Sequence, residues 1–263
     1  MLDIKKIQNV LGEGAPKIIY YPETDSTNTR AKLYAKENGE SREPVIFIAD
    51  SQTAGRGRLG RSFLSAAEAG IYISFLLYPD CVGSLITKFT PFAAVKLSES
   101  VEELTSITPR IKWVNDLYAC DKKLAGILVE GEMNSDGKIA YLVCGLGINV
   151  YKTALPDEIL NIAISIEEAS GERISREELV ALLINKILSS FNEFHSDNVF
   201  VGYKKRLNTV GKEVNVIKPD TSYPATVKAL NSDYSLTLTL PDGNEEILFT
   251  GEVSVKSKQK GLL

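Results

Sequence analysis

Apolar positions along the chain follow two periods. Val, Ile, Leu, Phe and Tyr run together or alternate at 17–21, 45–50, 71–78, 110–113, 123–130 and 139–150, which predicts strands. They recur every three or four residues at 27–38, 85–104 and 176–194, which predicts helices. Because the helices are grouped instead of following each strand, the pattern predicts an α+β fold with a mixed sheet rather than an alternating parallel array. Beyond Leu207 the texture changes: short apolar runs at 214–217, 223–230, 235–240 and 245–249 are parted by Lys-Pro-Asp, Asn-Ser-Asp and Pro-Asp-Gly-Asn. Such punctuation suits a small antiparallel barrel, so two domains are expected, 1–207 and 208–263. Residues 1–15 hold one short helical pattern.

With 263 residues, 44% hydrophobic and 24% charged, the chain is long enough for one large and one small globular domain. Thirty basic against 34 acidic residues leave a net charge of −4, which argues against extended nucleic-acid binding driven by counterion release. Cys81, Cys120 and Cys144 are isolated in or beside apolar runs, which indicates neither a disulfide framework nor a metal cluster and fits a reducing cytoplasm. No stretch approaches the roughly eighteen apolar residues of a membrane span, and the N-terminus does not read as a signal peptide. His195 is the single histidine, at the polar end of a helical pattern, where it reads as a surface or capping residue. Histidine-based triads and histidine-rich metal sites are thereby excluded.

Positive charge is concentrated instead at 52–61, Gln-Thr-Ala-Gly-Arg-Gly-Arg-Leu-Gly-Arg. Glycine allows positive φ and exposed amides, and Arg56, Arg58 and Arg61 offer guanidinium forks, a combination suited to a phosphate-bearing ligand. Gly55, Gly57 and Gly60 also satisfy the G-x-G-x-x-G dinucleotide fingerprint after an apolar run. That fingerprint needs a long amphipathic helix after its third glycine, whereas 61–70 is short, lacks a helical period and leads straight into a strand. The segment therefore reads as an anion loop, with a solvated basic loop as the bland alternative.

Three further segments carry chemistry. Asp25-Ser26-Thr27-Asn28 opens a helix and reads as plain capping or as a grip for a small polar head group. Lys112-Trp113-Val114-Asn115-Asp116, followed by Lys123, groups a cation, an amide and a carboxylate suited to phosphate and metal; a strand ending in an Asp turn explains it equally well. Gly145-Leu-Gly147-Ile-Asn149 places two glycines on one strand face, leaving room for a flat group or marking a bulge.

In this order, Ser-Thr-Asn, Gln52 with Gly-Arg-Gly-Arg-x-Gly-Arg, Lys-Trp-x-Asn-Asp, Lys-Leu-Ala-Gly-Ile-Leu-Val-Glu and Gly-x-Gly-Ile-Asn, the segments resemble the biotin protein ligases. The resemblance implies a catalytic domain like that of class II aminoacyl-tRNA synthetases, followed by a small SH3-like β-barrel. It implies that Ser26, Thr27, Asn28 and Gln52 hold biotin, that Arg56, Gly57 and Arg58 lie on the loop over biotin and the adenylate, and that Lys123 contacts the biotin carboxylate or adenylate, with Gly126 lining the pocket. Lys112 and Asn115 would face the ATP phosphates and Mg²⁺, Asp116 would assist the acceptor lysine, and Asn149 would touch adenine. Arg58, Lys123 and Asp116 are thus the expected catalytic residues.

The implied activity is ATP-dependent formation of biotinyl-5′-AMP and transfer of biotin to a lysine of a biotin carboxyl carrier protein, by a monomer or a homodimer. Two apolar departures, Val114 for the family's usual Pro and Phe63 for Trp, remove no reacting group. No N-terminal helix-turn-helix pattern is present, so DNA binding is not expected. Lipoate ligation, a nicotinamide-linked reaction and a nucleic-acid-binding module are the competing readings.

Overall fold

The computed structural model describes residues 1–38, 41–152, 159, 161–218 and 220–255. Seven strands form the larger sheet: β1 (Lys17–Thr24), β2 (Val45–Gln52), β3 (Gly70–Leu77), β4 (Arg110–Lys112), β5 (Asp116–Ala119), β6 (Lys122–Met133) and β7 (Ile139–Asn149). Their order is β1-β2-β3-β7-β6-β5-β4. Strands β1 and β2 pair in parallel, which requires a crossover, and helix α2 (Thr27–Glu37) supplies it. The remaining neighbours are antiparallel, so the sheet is mixed as the pattern predicts.

Both faces of the sheet are covered, which is why β3 is buried along its whole length and reads as a continuous apolar run. The alternation along β2 separates the two layers: Ile46 and Ile48 join the main core, while Val45 and Phe47 pack with Ala31 and Ala35 of α2. Helices α1 (Ile4–Leu11), α3 (Phe89–Leu104), α5 (Arg176–Ser190) and α6 (Asp197–Arg206) pack together on the main-core side.

Three sequence expectations change. The pattern at 85–104 contains a 3₁₀ segment, Gly83–Lys88, before α3. Pro91 lies in the first turn of α3, where a missing N–H costs nothing. The helical pattern at 176–194 ends at Ser190 and tightens into 3₁₀ geometry. Short elements escaped the periodic reading because each buries too few apolar positions to show a period: α4 (Ile166–Ser170), α6, β5 and β12 (Glu252–Val255).

The second sheet is antiparallel, with β8 (Glu213–Lys218), β9 (Thr221–Leu230), β10 (Leu236–Thr239), β11 (Glu245–Leu248) and β12 in the order β11-β10-β9-β8-β12. Its inward residues, among them Val214, Val216, Val227 and Val253, belong to the same core cluster as the larger sheet. The Trp113 indole donates to the Tyr234 carbonyl at 2.7 Å, and Tyr203 meets the Tyr234 ring edge-on at 5.2 Å. These contacts tie the small sheet to the β4–β5 hairpin and to α6. The three cysteines are free thiols, and His195 is exposed with its ring edge-on to Phe194. Among the described residues no helix is long and apolar enough to cross a membrane.

Candidate functional site

The parallel pairing of β1 and β2 sets Gln52 opposite Thr24, where the chain turns into α2. There Gln52 Oε1 accepts from the Thr27 amide at 2.8 Å and from the Thr27 hydroxyl at 3.2 Å, and Gln52 Nε2 donates to Ser65 Oγ at 2.9 Å. Ser26 occupies the N-cap position, yet its hydroxyl makes no capping bond. The capping alternative therefore does not describe this serine. Asn28 is buried in the first turn of α2, donating from Nδ2 to Glu130 Oε2 at 2.9 Å and to the Leu128 carbonyl at 3.3 Å. The Ser74 hydroxyl, fully buried on β3, lies 2.6 Å from Asn28 Oδ1 and 2.7 Å from Thr27 Oγ1 and binds the two side chains together.

Strand β7 supplies the floor. Gly145 pairs with Ser74, and Gly147 pairs with Tyr72 on one side and Gly126 on the other. A Cβ at Gly145 would stand 2.0 Å from Asn28 Oδ1, and one at Gly147 would stand 2.5 Å from the Phe63 ring. Close approach of these side chains, rather than a bulge, accounts for the two glycines.

The arginine loop folds on itself: the Gly57 amide donates to the Arg61 carbonyl at 2.7 Å and the Phe63 amide to the Gly55 carbonyl at 2.9 Å. The sequence expectation that its glycines supply positive φ holds at Gly60, at +74°. Gly55 is required by space, since a Cβ there would lie 2.4 Å from the Phe63 carbonyl, while Gly57 is extended. The third glycine is followed by no long helix, which agrees with setting aside the dinucleotide fingerprint. Arg58 is half-buried and donates to Asn115 Oδ1 at 3.0 Å and to the carbonyl of Gly251, the residue before β12, at 3.4 Å. Burial lowers its guanidinium below the usual value, opposed by the carboxylates of Asp116 and Glu252. Arg56 pairs with Glu130 at 3.2 Å, and Arg61 with Glu252 at 2.7 Å.

Between the polar cluster and the loop lies a cleft of about 470 Å³ including its open mouth. Ser26, Thr27, Asn28 and Gln52 line it together with Arg56, Gly57 and Arg58 of the loop and with Asn115, Lys123 and Gly126. The expected residues Lys112, Asp116 and Asn149 do not line it. Asp116 sits behind, its carboxylate 2.9 Å from Lys123 Nζ and accepting from Asn115 Nδ2 at 3.0 Å. Lys112 turns toward Glu252 at 3.8 Å and stands over the Tyr118 ring. Asn149 lines a second hollow of about 340 Å³ with Gly70, Tyr72, Tyr151 and Ser165, and donates to the Lys123 carbonyl at 3.3 Å. Both spaces are thus built on β7, and Lys123, which lines the first, accepts through its backbone carbonyl from Asn149 of the second.

Several participants carried no role in the sequence reading: Ser74, Glu130, Gly251 and Glu252. Glu130 closes the Lys-Leu-Ala-Gly-Ile-Leu-Val-Glu segment and could have been found there as the next residue, at period two, on the strand face of Gly126 and Leu128. Ser74 and Glu252 had no local signal.

The polar helix start, the arginine loop and the strand lysine around the cleft all lie within residues 20–149, which match the model of the Biotin/lipoate A/B protein ligase family. Over 228 residues the chain is 30% identical to the biotin–[acetyl-CoA-carboxylase] ligase of Mycobacterium tuberculosis, covering 83% of this chain and 82% of that protein. The chain belongs to the biotin protein ligase family. It is similar in structure to the biotin protein ligase of Aquifex aeolicus solved in complex with biotin and ATP, with a TM-score of 0.73, 29% identity, and coverage of 91% of this chain and 98% of that one. To the bifunctional ligase/repressor BirA of Bacillus subtilis it is 35% identical over 188 residues, 71% of this chain but 56% of that protein's length.

Proposed function

We propose that the protein activates biotin with ATP as biotinyl-5′-adenylate and transfers the biotinyl group to a lysine of a biotin carboxyl carrier domain. One observation carries the reading: a single cleft is lined both by a bonded polar cluster, suited to a neutral ureido group, and by the cations Arg56, Arg58 and Lys123. Family membership and the relatives named above support the same assignment.

In the first step a biotin carboxylate oxygen attacks the α-phosphorus of ATP, a mixed anhydride forms and pyrophosphate leaves. Two anions must approach, so the barrier falls where cations stand ready for the developing charge. Lys123 of the cleft serves that charge, with its ammonium 2.9 Å from the Asp116 carboxylate. The second hollow takes adenine, with Asn149 at its wall. Mg²⁺ would come with ATP, as a counterion that neutralises phosphate charge. Among the described residues no three His, Cys, Asp or Glu side chains gather to hold a metal. In the second step the neutral acceptor amine attacks the anhydride carbonyl and AMP leaves; the amine proton passes to a base, for which Asp116 is the nearest carboxylate to Lys123. The closed loop keeps water from the anhydride.

Biotin-dependent exchange of radiolabelled pyrophosphate into ATP, with lipoate as competitor, tests the reading, followed by biotin transfer to a carrier domain. Exchange driven by lipoate but not by biotin would overturn it.

A further inference from the structure

We propose that Glu130 is a positioning residue that acts as a latch: its carboxylate holds Arg56 while the acid substrate is absent and yields it to the substrate's own carboxylate. The inference rests on the assignment of the cleft to biotin and concerns how that site is kept ready.

Glu130 follows Gly126 and Leu128 at period two on β6 and extends the strand face that lines the cleft. Its two oxygens have different partners. Oε2 accepts from Asn28 Nδ2 at 2.9 Å, a bond between groups set in a strand and a helix. Oε1 receives Lys32 Nζ at 2.8 Å and Arg56 Nη2 at 3.2 Å. The carboxylate side chain is 21% exposed, whereas that of Arg56, on the loop, is 47% exposed. One oxygen therefore fixes the polar end of the cleft, and the other ties that end to the movable cation.

The electrostatics make the second contact exchangeable. Burial would push the Glu130 carboxyl up, but bonds from Lys32 and Asn28 and the charges of Lys32 and Arg56 overcome it and hold the group below its usual value. The carboxylate is an anion at neutral pH. When Arg56 leaves, Lys32 and Asn28 remain, so no buried charge is stranded and release costs little. An entering carboxylate offers Arg56 the same kind of partner. Without such a partner, Arg56 stays against β6 and the loop is held near its working position.

The test compares biotin with biotin methyl ester, which keeps the ring system and lacks the charge, by calorimetric titration of the full chain. Glu130→Gln leaves one oxygen for Asn28 and removes the competing charge. It should raise the affinity ratio of biotin to ester by roughly two- to fivefold, the size of one partly exposed ion pair. Lys32→Met should lower the same ratio by a similar factor, since Arg56 becomes the sole cation on Oε1, and it keeps the test decisive where the first variant folds poorly. A role confined to orienting Asn28 would weaken both ligands equally and leave the ratio unchanged, which overturns the latch. Tryptic cleavage after Arg56 in the ligand-free protein should be faster in Glu130→Gln, and an unchanged rate also overturns the latch. Because cleavage needs no ligand, it still judges the latch if the unaltered chain binds no biotin, a result that would remove the functional assignment instead.

Discussion

The two ends of the cleft are built on opposite principles. At the α2 end, Thr27, Asn28 and Ser74 are buried and bonded to one another and to Gln52 and Glu130, so each polar atom is already placed. At the loop end the side chains of Arg56 and Arg61 are 47% and 60% exposed, and their carboxylate partners are borrowed from β6 and from the small sheet. A neutral ring system can be recognised by groups that never move, because its charge does not change. Phosphate charge arrives and leaves within a turnover, and the cations that meet it must exchange partners. Under the proposed function, contacts that stay and contacts that exchange are thus divided between α2 and the loop, with Glu130 touching both.

The largest effect is expected where the loop meets the small sheet. Arg58→Ala removes the bonds to Asn115 and to the Gly251 carbonyl together with a cation of the cleft. Adenylate formation should lose about 2–4 kcal/mol in kcat/KM, checked by pyrophosphate release; unchanged release would show that the loop end does not bind the reacting charge. Lys123→Gln should follow, at about 1.5–3 kcal/mol, the worth of one charged hydrogen bond. Its loss should fall on biotin activation, with ATP affinity little altered in equilibrium titrations. An equal loss of both would move Lys123 from the junction into the nucleotide site.

One substitution placed twice on β7 contrasts the ends directly. Gly145→Ala drives a methyl to 2.0 Å from Asn28 Oδ1, and Asn28 cannot retreat because Ser74, Glu130 and Leu128 hold it. Destabilisation of about 1–3 kcal/mol is expected, with loss of biotin binding. Gly147→Ala meets the Phe63 ring at 2.5 Å, and Phe63 belongs to the loop. The loop can shift outward, so thermal stability should change by less than about 1 kcal/mol while closure over ligand is impaired. Denaturation curves and biotin titrations of both variants decide the matter; equal destabilisation would mean that the loop is as rigid as the helix end.

The sequence made much of this legible, unevenly. Long strands and helices were read because continuous or periodic apolar runs report burial directly, as in β3 and α5. The polar helix start, Gln52, the arginine loop and Lys123 were found because each lies in a compact motif and all converge on the cleft. Lys-Trp-Val-Asn-Asp was only partly legible. Strand β5 buries Leu117 alone and has no period of its own, so the hairpin that sets Lys112 opposite Asp116 could not be foreseen. That hairpin brings Asn115 to the cleft and leaves the two charged residues behind it. Glu252 was invisible because its partners Arg61 and Lys112 lie far from it along the chain, where neither spacing nor propensity carries information.

Glu252 gives the smallest effect and the finest test of the contrast. Its carboxylate lies 2.7 Å from Arg61 and 3.8 Å from Lys112, so the small sheet contributes an anion to the loop end while no phosphate is present. Glu252→Gln should leave the fold intact, since Val253 beside it, rather than Glu252, is buried in the core. The Arg61 side chain is largely exposed, which limits the lost attraction to about 0–1 kcal/mol. An exchangeable contact predicts that this small loss appears as faster loop opening in hydrogen exchange of the ligand-free protein, and disappears once adenylate supplies its own charge. The α2 end, which shares no partner with Glu252, should keep its exchange protection in both states. If protection fell equally at both ends, or persisted as a deficit in the adenylate complex, Glu252 would be a structural support and the separation of rigid and exchangeable contacts would fail.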